Sequence, residues 1–136
     1  MNAARRHFLA HQAPALIWAA TIFVLSSIPG DRLPEIVFHV WDKLLHATVF
    51  FMLCLLLHRA LRSQMRFPRL QLFALVSALF LTVLYGGIDE FHQHFVPGRR
   101  MDLLDLVADA TGGLVYAVSV TGWKLFGKSR SPVVPS

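Results

Sequence analysis

Four apolar runs divided by short polar segments account for most of this chain: Ala13–Ile28, Leu44–Leu57, Leu70–Ile88 and Leu103 to about Phe126. About twenty helical residues match a bilayer core. Composition then decides between a buried core and a membrane. With 136 residues, 55% hydrophobic and 15% charged, the chain lacks the polar surface that a soluble domain of its size needs. The pattern predicts an all-α integral membrane protein, a bundle of four transmembrane helices in one domain, residues 1–128. The tail 129–136, with Pro132 and Pro135, reads as disordered.

The first run is short and needs its flanks or local thinning to reach across. Pro14 suits a first helical turn, and Ser26, Ser27, Pro29 and Gly30 end the helix. The second run extends from Asp42 to about Leu61. Pro34 to Trp41 reads as an interfacial segment. Arg5-Arg6-His7-Phe8-Leu9 has the look of a twin-arginine export signal, but three apolar runs and no small-residue cleavage site follow, so the first run reads as a retained helix. The single Cys54 lies inside an apolar run and reads as a packing residue.

Charge sorts along the same lines. Nine of the thirteen Lys and Arg residues lie in the N-terminus, the second loop and the tail; Arg32, Lys43, Arg99 and Arg100 lie in the other two segments. The positive-inside rule places both termini in the cytoplasm. All eight acids, Asp31, Glu35, Asp42, Asp89, Glu90, Asp102, Asp105 and Asp109, fall on the opposite side, leaving it four charges negative. Acids contribute little to topology, so their segregation points to a site. The net charge of +5 is a cytoplasmic flank and not a nucleic-acid surface.

Three pieces converge at that end. Asp42 and His46, four apart, share a helix face, where the carboxylate pairs with the imidazole. Asp89-Glu90-Phe91-His92-Gln93-His94 closes the third helix; on a continuing helix Asp89 stacks with Gln93 and Glu90 with His94, and adjacent carboxylates suit acid/base work. Asp102, Asp105 and Asp109 fall on one stripe of the fourth helix, continued by Gly112 and Tyr116. Asp109 is about 10 Å beyond Asp102 at 1.5 Å per residue. Unpaired at that depth it costs roughly 2.5–3.5 kcal/mol. It must therefore be protonated, paired with His46 or an Arg, or wetted. Gly86-Gly87 and the Ala108-x-x-x-Gly112-Gly113 seam allow close helix contact.

Glu90, His46 and Asp89 are the acid/base candidates. Arg99, Arg100, Gln93, Asp105 and Asp42 are the ligand-binding candidates, and Asp109 is the intramembrane acid. Arg99 and Arg100 can hold an anion by paired contacts, or neutralise the acids. His46, His92, Asp89, Glu90 and Asp105 are of metal-ligand type. No ligand spacing such as H-E-x-x-H accompanies them, so neither a metal nor another cofactor is expected. Phosphate loops and nucleophile elbows are absent.

Asp42-Lys43-Leu44-Leu45-His46 and the stretch DEFHQHFVPGRRMDLLDLVADATG from Asp89 resemble the VanZ-like family of small bacterial membrane proteins. The resemblance implies a multi-helix membrane protein. It also implies a link to low-level resistance to the glycopeptide teicoplanin, with no established reaction. Its marked positions fall here on Asp42, His46, Asp89, Glu90, Gln93, Arg99 and Asp105. Asp109 stands where the family usually has Asn. Three functions fit. One is an envelope-facing site that binds or modifies a lipid headgroup, cell-wall precursor or lipophilic glycopeptide. The second is a non-catalytic scaffold whose polar cluster locks the bundle. The third is a proton-coupled transporter using Asp105 and Asp109, with oligomerisation left open.

Overall fold

The computed structural model describes residues 2–32, 40–64 and 66–128. The interfacial segment expected at Pro34–Trp41 and the tail 129–136 lie outside the described residues, apart from the backbone of Val40 and Trp41. Among the described residues, six α-helices follow in order: α1 (Ala3–His11), α2 (Ala13–Ser26), α3 (Val40–Ser63), α4 (Pro68–Leu72), α5 (Ala74–Gln93) and α6 (Leu103–Lys128). A 3-10 turn, Gly30–Arg32, follows α2. No strand occurs among the described residues.

Helices α3, α5 and α6 are each long and apolar enough to cross a membrane, and α1 with α2 makes a fourth span if the bent pair is one. That pair bends by 42°. Pro14 supplies the cause, since it has no amide to donate to the Ala10 carbonyl four residues back and its ring crowds that oxygen. Arg59 Nη2 donates to that carbonyl instead, at 3.1 Å, tying the bend to α3.

The surface is inverted relative to a soluble protein. Trp123 is 84% exposed and Leu72 77%, whereas Glu90 and Asp109 are 0% exposed. Apolar side chains outward and carboxylates inward is the arrangement a lipid solvent favours. Hydroxyls within the spans are satisfied by their own helix: Thr21, Thr48, Thr82, Thr111 and Ser119 each donate to the carbonyl four residues earlier.

Helix α3 is the hub, packing most extensively on α6, then on α5, then on α2. Small residues set the closest approach. A Cβ at Gly112 would run into the Ala47 carbonyl of α3, and one at Gly86 would meet Asp109 Oδ2 at 2.8 Å. Helix α2 is held by hydrogen bonds from Trp18 Nε1 to the Val49 carbonyl (3.0 Å) and from Tyr85 Oη to the Ala19 carbonyl (2.7 Å). Buried Phe50, Leu53, Cys54 and Ala78 fill the middle of the bundle.

One boundary is corrected. The third span is not Leu70–Ile88 but Ala74–Gln93, because Pro68 starts the short α4 and the chain turns again at Phe73. Asp89, Glu90 and Gln93 lie in the last two turns of α5, in the segment expected to close the third helix, and all three are buried.

Candidate functional site

One end of the bundle collects polar groups from four helices. The first two turns of α3 bring Asp42, Lys43 and His46, and the last two turns of α5 bring Asp89, Glu90 and Gln93. Helix α6 brings Asp105 and Asp109, and Asp102 caps it: the Asp102 carboxylate accepts from the Leu104 amide at 2.8 Å. Helix α2 ends at Ser26. The loop glycines fix how these ends meet. Gly98 takes φ +72°, and the Gly30 amide donates to the Pro97 carbonyl at 3.0 Å. A Cβ at Gly30 would strike the Gly98 carbonyl, so the two Pro-Gly corners interlock only as glycines.

Two networks result. Between α3 and α6, His46 Nδ1 lies 2.9 Å from Asp109 Oδ1, and Lys43 Nζ lies 2.8 Å from Asp102 Oδ2 and bonds Asp105 as well. Asp42 is a looser neighbour, its Oδ1 3.9 Å from His46 Nε2. The expected Asp42–His46 pair is thus secondary to His46–Asp109. Between α2 and α5, Ser26 Oγ donates to Asp89 Oδ1 (2.6 Å) and Gln93 Nε2 donates to Asp89 Oδ2 (3.1 Å). Arg99 Nη2 donates to Gln93 Oε1 at 2.8 Å. Glu90, on α5, bonds to the start of α6, its Oε2 accepting from the Asp102 amide at 2.9 Å.

Asp89 and Glu90, neighbours in sequence, do not act as an adjacent pair. Successive helical residues point about 100° apart, so Asp89 serves α2 and Glu90 serves the start of α6. The Glu90–His94 stacking expected from spacing does not bring them together either: Glu90 is buried and His94 exposed. His92 instead stacks on Phe23, centroids 4.5 Å apart, and meets Ser27 Oγ at 3.0 Å. Arg100 is exposed and forms no ion pair among the described residues.

Spacing missed two members. Lys43 counted only as a loop cation, and Ser26 only as a helix ender. Both sit beside a recognised signal, since Lys43 follows Asp42 and Ser26 stands in the Ser-Ser-x-Pro-Gly turn.

A cavity of about 200 Å³ opens between α2, α3 and α5. Ile22, Leu25, Leu45 and Val49 form an apolar wall, and Asp42, His46, Asp89, Gln93 and Arg99 form the polar part. Glu90, Asp105 and Asp109 do not line it. A larger cavity, about 640 Å³, lies toward the other end of the helices, lined by His58, Arg62, Gln71 and Lys124 with no carboxylate. His58 Nδ1 there meets Tyr116 Oη at 2.7 Å.

Among the described residues, two groups of side chains have metal-ligand potential: Asp42, His46 and Asp105, and His46, Glu90 and Asp109, with donor atoms in each group within 4.8 Å of one another. In the first, Lys43 already holds Asp105. In the second, Glu90 Oε1 and Asp109 Oδ2 have no hydrogen-bond partner among the described residues although both are buried.

The fold and the site define a class, a helical membrane protein whose acids, histidine and arginine cluster at one end of the bundle. Within that class the chain belongs to the VanZ/LLP1 family, whose model matches residues 5–125. Among curated proteins and among solved structures, no match was found.

Proposed function

We propose that this protein binds the anionic headgroup of a membrane amphiphile at the extracytoplasmic face of the bacterial cytoplasmic membrane, with both termini in the cytoplasm. The amphiphile is a lipid or lipid-linked cell-wall precursor, and a lipophilic glycopeptide of the teicoplanin type is the related alternative cargo. One observation carries the reading: Arg99 lines a cavity walled on its other side by apolar residues of α2 and α3, and among the described residues it has no carboxylate partner. A guanidinium fixed by one amide retains donors for a phosphate or carboxylate. An acyl chain fits the wall of Ile22, Leu25 and Val49.

In this reading Arg99 and Gln93 bind, His46 and Asp89 contact the headgroup as the acid/base candidates, and Asp42 stands at the rim. Glu90, Asp105 and Asp109 act through His46 and Lys43. Arg100, exposed beside the cavity, steers anions.

The scaffold reading draws on the satisfied Ser26–Asp89–Gln93 chain, which ties α2 to α5. The transport reading has less support. Phe50, Leu53 and Cys54, all at or below 1% exposure, lie between the acids and the His58–Tyr116 pair.

The test is binding of a fluorescent polyprenyl phosphate, and separately of teicoplanin, to the full chain in nanodiscs. Arg99→Gln is expected to weaken phosphate binding about tenfold, the loss of one charge-assisted contact, with the thermal midpoint unchanged. Equal binding by wild type and Arg99→Gln sinks the headgroup reading and leaves the scaffold. Teicoplanin binding that survives Arg99→Gln while the phosphate is ignored makes the glycopeptide the cargo.

A further inference from the structure

We infer that His46, Glu90 and Asp109 form a binding site for a divalent transition-metal ion of the zinc–manganese class. The inference goes beyond the headgroup reading and stands without it, on two carboxylate oxygens. Glu90 Oε1 and Asp109 Oδ2 are buried with no hydrogen-bond partner among the described residues, in residues that are 0% exposed. A carboxylate taken out of water keeps its charge only if it is paired and hydrogen-bonded. Each of these has one oxygen served, Glu90 by the Asp102 amide and Asp109 by His46. Each leaves the other oxygen unserved in the same small space.

Nearby cations do not meet that need. Lys43 is committed to Asp102 and Asp105 on the outer side, and Arg99 to Gln93 on the α2 side. Nor can the backbone, since Gly86 presses against Asp109 Oδ2 with no donor to offer; an added Cβ there would lie 2.8 Å away. The donor set is one imidazole and two carboxylates, a combination zinc and manganese accept. Donor atoms lie within 4.8 Å of one another. Metal–ligand bonds of about 2.0–2.2 Å would draw them closer.

The three donors come from three helices. His46 stands on α3, Glu90 on α5 and Asp109 on α6, so ligation would clamp the bundle at one point. No spacing in the chain announces such a site, because no two of the ligands share a helix. His46 also lines the cavity of about 200 Å³, which gives an ion a route in from the open side. The outer group, Asp42, His46 and Asp105, is the weaker competitor because Lys43 would have to leave Asp105.

The experiment uses the full chain in detergent, stripped with chelator and then given Co²⁺, Zn²⁺ or Mn²⁺ alone. Wild type is expected to take up about one Co²⁺ per chain with new visible absorption bands, and Zn²⁺ should displace it. Glu90→Gln and Asp109→Asn are each expected to weaken Zn²⁺ binding at least tenfold, whereas Asp102→Asn leaves it within about threefold, in line with loss of a ligand against loss of a remote charge. No visible bands in wild type overturns the inference, and that readout needs no variant to fold. Zn²⁺ binding that survives Glu90→Gln but fails in Asp105→Asn also overturns it, by moving the ion to the outer group. Since the readout is metal uptake, it succeeds or fails independently of lipid binding.

Discussion

Lys43 reaches from the first turn of α3 to two carboxylates of α6, and one of them, Asp102, lies ahead of the span. The hydrogen bond from Lys43, followed by that from the Leu104 amide, holds the Asp102 carboxyl below its usual value of 3.8. A depressed folded pKa adds stability above the unfolded value, and that stability is lost as pH falls through the folded one. The thermal midpoint in detergent is therefore expected to drop as pH is lowered from about 5 to about 2, and Asp102→Asn should drop less. An identical slope in the variant would show that Asp102 carries none of the effect. At this scale the chain was partly readable. The depth of Asp109 alone demands a partner, and His46 is that partner. Lys43 was not readable, because a cation next to Asp42 looks like its local neighbour until α6 is seen to pass alongside. Asp89 and Glu90 look like an acid pair until the helix turns them apart.

Helix packing rests on a few positions with no side chain. At Gly112 the Ala47 carbonyl occupies the space a Cβ needs, whereas nothing lies within 4 Å of a Cβ at Gly87. Alanine favours a helix over glycine by about 1 kcal/mol, and overpacking costs about 1–3 kcal/mol. Against a backbone carbonyl the second effect wins. Gly112→Ala is expected to lower stability by about 1–2 kcal/mol, and Gly87→Ala to be neutral or slightly stabilising, by unfolding in mixed micelles. The reverse order would mean that α3 and α6 are not so closely packed. The Ala108-x-x-x-Gly112 seam was legible from residue size. The start of α5 was not, because hydropathy runs smoothly across Phe73 while the backbone turns there.

For the molecule as a whole, three of the four expected spans stand as single helices, and the bent α1–α2 pair makes a fourth only if it crosses as one. Orientation is tested by labelling, since the single Cys54 is buried and silent. A membrane-impermeant maleimide should reach Arg100→Cys in intact spheroplasts and Arg66→Cys only after permeabilisation. The opposite pattern would invert the topology and the site with it. The grouping of acids at one end was legible from the runs alone. The cavity was not, because it depends on how α2 leans on α3. The inward face of α6 also bears on how the protein is made. Two acids in one span oppose entry into lipid by roughly 5–7 kcal/mol on translocon scales. Helix α6 leaves the ribosome after α3, so the helix carrying Lys43 and His46 has already been synthesised. Its insertion is then less the partitioning of a greasy segment than the docking of a late subunit onto a waiting receptor.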